Sequence, residues 1–143
     1  MPGFSVCSGL VMSTSAVKRI GIAVVEHSGR SLIGIRGPDI PLAGYAEFPG
    51  GKCLPDESPE DCAVRECHEE SGLIVTVDRL LLRREHRYPH ATVDLHFILC
   101  RPTEAISVSD EHRGFRWVPH DQLALLKFPE ANESLIQMLT DSA

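Results

Sequence analysis

The chain has 143 residues, 20 of them acidic and 14 basic, for a formal charge of -6. That balance argues against duplex nucleic acid or an anionic membrane as partner, and a hydrophobic content of 43% is ordinary for one soluble domain with its own core. A polyanionic small molecule stays acceptable only with a cation between it and the acid, so a metal is expected.

No apolar run approaches the ~20 residues of a membrane span. The five cysteines are odd in number and follow no metal-finger spacing, which suits free thiols in a reducing cytoplasm. The opening residues lack a basic region followed by a sustained apolar core, so they make a poor secretory signal. Residues 1–15 are expected to be a flexible leader, with Met12 as a candidate start, and residues 16–143 a single domain.

In chain order, "KRIGIAVVEHSGRSLIGIR" predicts two strands around a turn at Ser28-Gly29. A Pro/Gly-rich loop leads to a short strand, "YAEF", which Pro49 and the Gly50-Gly51 pair should stop. A helix follows, with Ser58 as N-cap, Pro59 first and Asp61 at the capping-box position, closing at Gly72. "LIVTV" and "RLLLRREHRY" predict two extended segments. "ATVDLHFILCRP" predicts a strand with Val93, Leu95, Phe97 and Leu99 alternating against Thr92, Asp94, His96 and Ile98. After a short strand "FRWVP", the segments "PHDQLALL" and "PEANESLIQMLTD" predict helices, the last with Leu135, Ile136 and Leu139 on one face. Interleaved strands and helices imply a mixed sheet with helices packed on it, an α/β fold.

The segment from Gly50 to Leu73 holds seven carboxylates in 24 residues. Glu66, Glu69 and Glu70 fall at i, i+3 and i+4, one face of a single helical turn, where like charges repel. Two readings stand: a solvated acidic face, or one neutralised by hard divalent cations that prefer oxygen ligands. The neighbours favour the second. Arg65 can pair with Glu69 or reach back to Glu57, and Gly50 and Gly51 permit close backbone approach and free a carbonyl as a further oxygen ligand.

These residues also carry a resemblance. Gly51, five residues, Glu57, seven residues, then Arg65-Glu66-Cys67-His68-Glu69-Glu70-Ser71-Gly72-Leu73 matches the Nudix box at every fixed position, with Cys67 at an aliphatic site. The resemblance implies an α/β/α sandwich with a catalytic loop–helix–loop. It also implies Mg²⁺- or Mn²⁺-dependent hydrolysis of nucleoside diphosphates linked to another group. On that pattern Glu66, Glu69 and Glu70 bind metal with the Gly50 carbonyl, Arg65 and Glu57 pair, and Gly51 and Gly72 shape the motif.

"EFPGGK" and "FPEANESLI" further resemble the MutT branch, which takes oxidised guanine nucleoside triphosphates to monophosphate and pyrophosphate. The spacing from Asn132 back to Trp117 and Glu111 is similar to that branch's base-reading Asn, Trp and late metal-site glutamate. Glu111, or Asp110 beside it, is therefore a candidate ligand or base, and the general base lies among Glu66, Glu69 and Glu111. An Asn amide both donates and accepts, which suits a purine edge with a keto oxygen beside an N–H. Asn132 can equally cap a helix. Arg36 toward phosphate, Phe48, and Tyr88, which can stack on a base or simply pack, complete the substrate set. "RYPHAT" departs from the branch, which has Asp-Arg after its "FP", and "DEHRGFRW" looks like the cytidine-triphosphate branch. His68, His86 and His112 are expected to be surface residues. The expected enzyme is a cytoplasmic Mg²⁺-dependent nucleoside triphosphate pyrophosphohydrolase, monomer or homodimer, favouring 8-oxo-dGTP over modified cytidine nucleotides. A non-catalytic nucleotide sensor on the same fold is the remote alternative.

Overall fold

The computed structural model describes residues 17–104 and 114–141. The proposed leader, Met12, Asp110, Glu111 and His112 therefore lie outside the described residues. Strand β1 (Val17–His27) turns through Ser28 (φ 54°) and Gly29 (φ 75°) into β2 (Arg30–Ile35). Two consecutive positive φ values match the right-handed twist of the flanking strands, so the hairpin closes His27 directly against Arg30.

Strand β3 (Ala46–Glu47) pairs with β2, and β4 (Gly50–Lys52) pairs antiparallel with the first half of β1. The strand in "YAEF" ends before Pro49, as expected, but the glycine pair itself enters the sheet as a separate strand. A Cβ on Gly50 would stand 2.7 Å from the Gly21 carbonyl oxygen, so bare glycine lets the two backbones close.

Helix α1 (Pro59–Ser71) forms as its end signals predict. Ser58 Oγ accepts from the Asp61 N–H at 3.0 Å, and Gly72 (φ 77°) closes the last turn by donating to the His68 carbonyl. The two extended segments expected next are one strand, β5 (Val75–Tyr88), with register irregularities between Val77 and Arg79 and between Leu80 and Leu82.

Strand β6 (Ala91–Pro102) runs parallel to β1 and antiparallel to β5. Its alternation does not separate core from water, because both faces are covered: Leu95, Phe97 and Leu99 are buried on one side, Ile98 and Cys100 on the other. Strand β7 (Arg116–Pro119) pairs with β2. The first of the two closing helices is instead a 3₁₀ turn (His120–Leu125), too short to repay α-helix nucleation. A second 3₁₀ turn (Glu130–Asn132) leads into α2 (Glu133–Asp141).

The sheet order is β3-β2-β1-β6-β5, with β4 joined to β1 and β7 to β2. On one face α1 seals Ala63 and Cys67 against Val25, Ile98, Cys100 and Phe115. On the other, Leu123, Leu135 and Leu139 cover Val24, Leu95 and Phe97. This is the expected α/β/α sandwich, with β4 and α1 side by side on one flank.

Candidate active site

Gly21 decides how close α1 comes to the sheet. A Cβ there would lie 2.5 Å from the Pro59 carbonyl oxygen and 2.8 Å from Cys62 Cβ, so the helix start rests directly on β1. Nothing in the sequence singled Gly21 out; a lone glycine inside a strand pattern was the available signal. The helix so seated aims its acidic side at β4.

Arg65 is the organising cation. Its guanidinium grips Glu57 in a two-bond fork at 2.7 and 2.8 Å, and one nitrogen also reaches Glu66 at 2.9 Å and Glu69 at 3.3 Å. It thus makes both contacts that the sequence left as alternatives, Glu57 and Glu69. Glu57 also accepts from the Leu54 N–H at 3.1 Å. With Arg65 first among the causes, these bonds hold its carboxyl well below the usual range, at about 2. Loop and helix are locked together across the cradle.

The three box glutamates divide into a pair and a single. Glu66 is largely covered and approaches β4 so closely that a Cβ on Gly51 would stand 2.6 Å from its carboxyl carbon. Glu70 accepts weakly from the Gly50 N–H at 3.4 Å, and its carboxyl interacts with that of Glu66 beside it. Burial first, and then the Glu66 carboxylate, push the Glu70 carboxyl up to about 8. Glu69 is 55% exposed and faces Arg65 instead. Among the described residues no three His, Cys, Asp or Glu side chains converge as a metal cluster in this arrangement. Two carboxylates forced together at the mouth of a glycine cradle are nevertheless a donor set that suits a hard cation.

Glu47 is the residue that sequence reasoning missed. Its charge acts on Glu70, and its carboxylate holds Arg36 at 2.9 Å. Arg36 is further fixed by the Pro41 carbonyl at 2.8 Å, so here it is engaged with protein rather than open. The signal was faint: an acid inside the short strand just before the glycines. Gly51's carbonyl accepts from the Cys62 thiol at 3.2 Å. Burial raises the Cys62 thiol to about 12, Cys67 to about 11 and Cys100 to about 12, which leaves all three inert at neutral pH.

The substrate-set residues spread over the opposite face of the sheet. Phe48 is buried and stacks on Phe128, with ring centroids 5.4 Å apart. Asn132 is half-buried and ends the 3₁₀ turn before α2, its N–H bonded to the Pro129 carbonyl. Tyr88 is exposed and meets His86 edge-on at 4.6 Å. His68 is exposed, as expected of a surface residue, whereas His86 is half-buried. Between these residues the apolar floor of Ile20, Ile22 and Val93 stays only partly covered.

A family model described as NUDIX domain matches residues 17–139. The 8-oxo-dGTP diphosphatase of Escherichia coli is 30% identical over 122 residues, covering 85% of this chain and 95% of that protein. The CTP pyrophosphohydrolase of the same organism is 29% identical over 109 residues, 76% of this chain and 79% of its own. Among solved structures, one from work on MutT of Aliivibrio salmonicida and Vibrio cholerae superposes with a TM-score of 0.71 at 26% identity, covering 87% of this chain and 96% of its own. The Escherichia coli ORF135 protein follows with 0.70 at 25% identity, covering 85% and 86%.

Proposed function

This chain belongs to the Nudix family of hydrolases, and on that premise we propose that it cleaves nucleoside triphosphates to monophosphate and pyrophosphate, with 8-oxo-dGTP as favoured substrate. The observation that carries this reading is the glycine cradle at Gly51, shaped around the Glu66 carboxylate and locked by the Arg65–Glu57 fork. A merely solvated acidic helix would need neither.

Glu66 and Glu70 would hold a divalent cation, with Glu69, Glu111 and the Gly50 carbonyl as further ligands. Mg²⁺, or Mn²⁺ in its place, supplies charge neutralisation at phosphate and a lowered pKa for the attacking water. Arg65 sets the spacing of Glu66 and Glu69 without touching substrate, which makes it a positioning residue. The proton of the attacking water goes to Glu69, Glu66 or Glu111, and the exposure of Glu69 supports it in that role. Asn132 reads the base, with Phe48 and Tyr88 beside it, and Arg36 turns to phosphate by exchanging Glu47 for substrate. A soluble cytoplasmic monomer or homodimer with no nucleic-acid partner fits the charge of -6, and no helix among the described residues is long and apolar enough to cross a membrane.

The second reading is a CTP or modified-cytidine pyrophosphohydrolase, favoured by the relative of that name. Pyrophosphate release from a panel of oxidised and ordinary nucleoside triphosphates, with Mg²⁺ and with EDTA, tests both. Turnover should vanish in EDTA and in Glu66→Gln, and Asn132→Asp should lower guanine turnover relative to cytosine. Binding without release across the panel would make the protein a sensor instead.

A further inference from the structure

A second base-selecting residue emerges from the strand register, and it rests on the nucleotide reading above. Arg84 lies opposite Leu95 and His86 opposite Val93 on β6. Directly paired residues share a face, so both stand on the side covered by α2. Lys18 of β1, opposite Val93 from the other edge, shares it too. A chain with net charge -6 thus places three basic side chains around the partly covered floor of Ile20 and Val93.

Arg84 is the one tied to the base-reading end. It is exposed, and its Nη1 donates to Ser134 Oγ at 2.8 Å, two residues from Asn132 and fifty from itself in sequence. A guanidinium carries five N–H donors in a flat fork, and that bond uses one. An oxidised guanine has two keto oxygens flanking a ring N–H. The Asn132 amide can satisfy the 6-keto oxygen and the N7–H, which leaves the 8-keto oxygen, the one that ordinary guanine lacks, without a donor.

We propose that Arg84 supplies that donor, and so selects the oxidised base over the ordinary one. The interaction is a charge-assisted hydrogen bond, the stronger kind, and its loss leaves an acceptor unpaired against the apolar floor. The test is steady-state kinetics of Arg84→Gln, Arg84→Lys and Ser134→Ala on 8-oxo-dGTP and dGTP. Arg84→Gln should lose about 10-fold or more in kcat/KM for 8-oxo-dGTP, through KM, while dGTP stays within about twofold. Arg84→Lys should recover part of the loss, and Ser134→Ala should match the wild type. The inference is overturned if Arg84→Gln weakens both substrates alike, if Ser134→Ala reproduces it, or if neither changes. Should Asn132→Asp shift the guanine-to-cytosine ratio while Arg84→Gln shifts nothing, only the role of Arg84 falls. A wild type that hydrolyses no nucleoside triphosphate removes both it and the proposed function.

Discussion

Replacing Glu70 with Gln should stabilise the metal-free protein at high pH and leave it almost unchanged in mild acid. Glu70 titrates at about 8 in the fold against 4.5 ordinarily, because burial and the Glu66 carboxylate disfavour its charge. The native state therefore keeps a proton that the unfolded chain has released. Its contribution is complete below pH 4.5, declines as pH rises, and is lost above about 8. The span of roughly 3.5 pH units at about 1.36 kcal/mol each sets a ceiling near ~5 kcal/mol. Glu70 is only half-buried, and water reaching its carboxyl lowers this to ~1–2 kcal/mol, or ~3–8 °C in melting temperature for a chain of this size. Gln imitates the protonated acid at every pH. Thermal melts of both proteins in EDTA at pH 4.5, 6.5 and 8.5 should coincide at the acid end and separate progressively, with the variant the more stable. Equal differences at all three pH values would refute the carboxylate pair, and a wild type that gains on the variant with rising pH would reverse its sign.

Two glycine substitutions should fail differently. In Gly51→Ala the atoms nearest the new methyl are all at the far end of the Glu66 side chain, so the carboxylate swings away. Activity should fall about 100-fold or more with little change in melting temperature. In Gly21→Ala the methyl meets the backbone at Pro59, and the helix must lift, costing ~1–3 kcal/mol by denaturant titration. The third concerns Glu57, whose carboxyl is held at about 2 by Arg65. A depressed acid contributes stability above its unfolded pKa and loses it as pH falls toward 2, so Glu57→Gln and wild type should differ at pH 7 in urea midpoint, begin to draw together below about 4.5 and converge only near pH 2.

The short-range signals around the acidic helix are legible in the sequence itself. Ser58, Pro59 and Gly72 punctuate α1 by rules that act within a few residues, and the order of Glu57, Arg65, Glu66, Glu69 and Glu70 fixes which charges a helix can bring together. Hairpin chemistry at Ser28-Gly29 was equally local. What sequence could not decide were distances set by elements far apart in the chain. Gly50 and Gly51 read as a stop until the close approach of β1 turned them into a strand. Glu66, Glu69 and Glu70 read as one equivalent triad until β4 drew two of them inward and Arg65 held the third outside. Burial and register are properties of the assembled sheet, so Glu47 beside Glu70 and Arg84 beside Ser134 appear only when the strands are laid side by side.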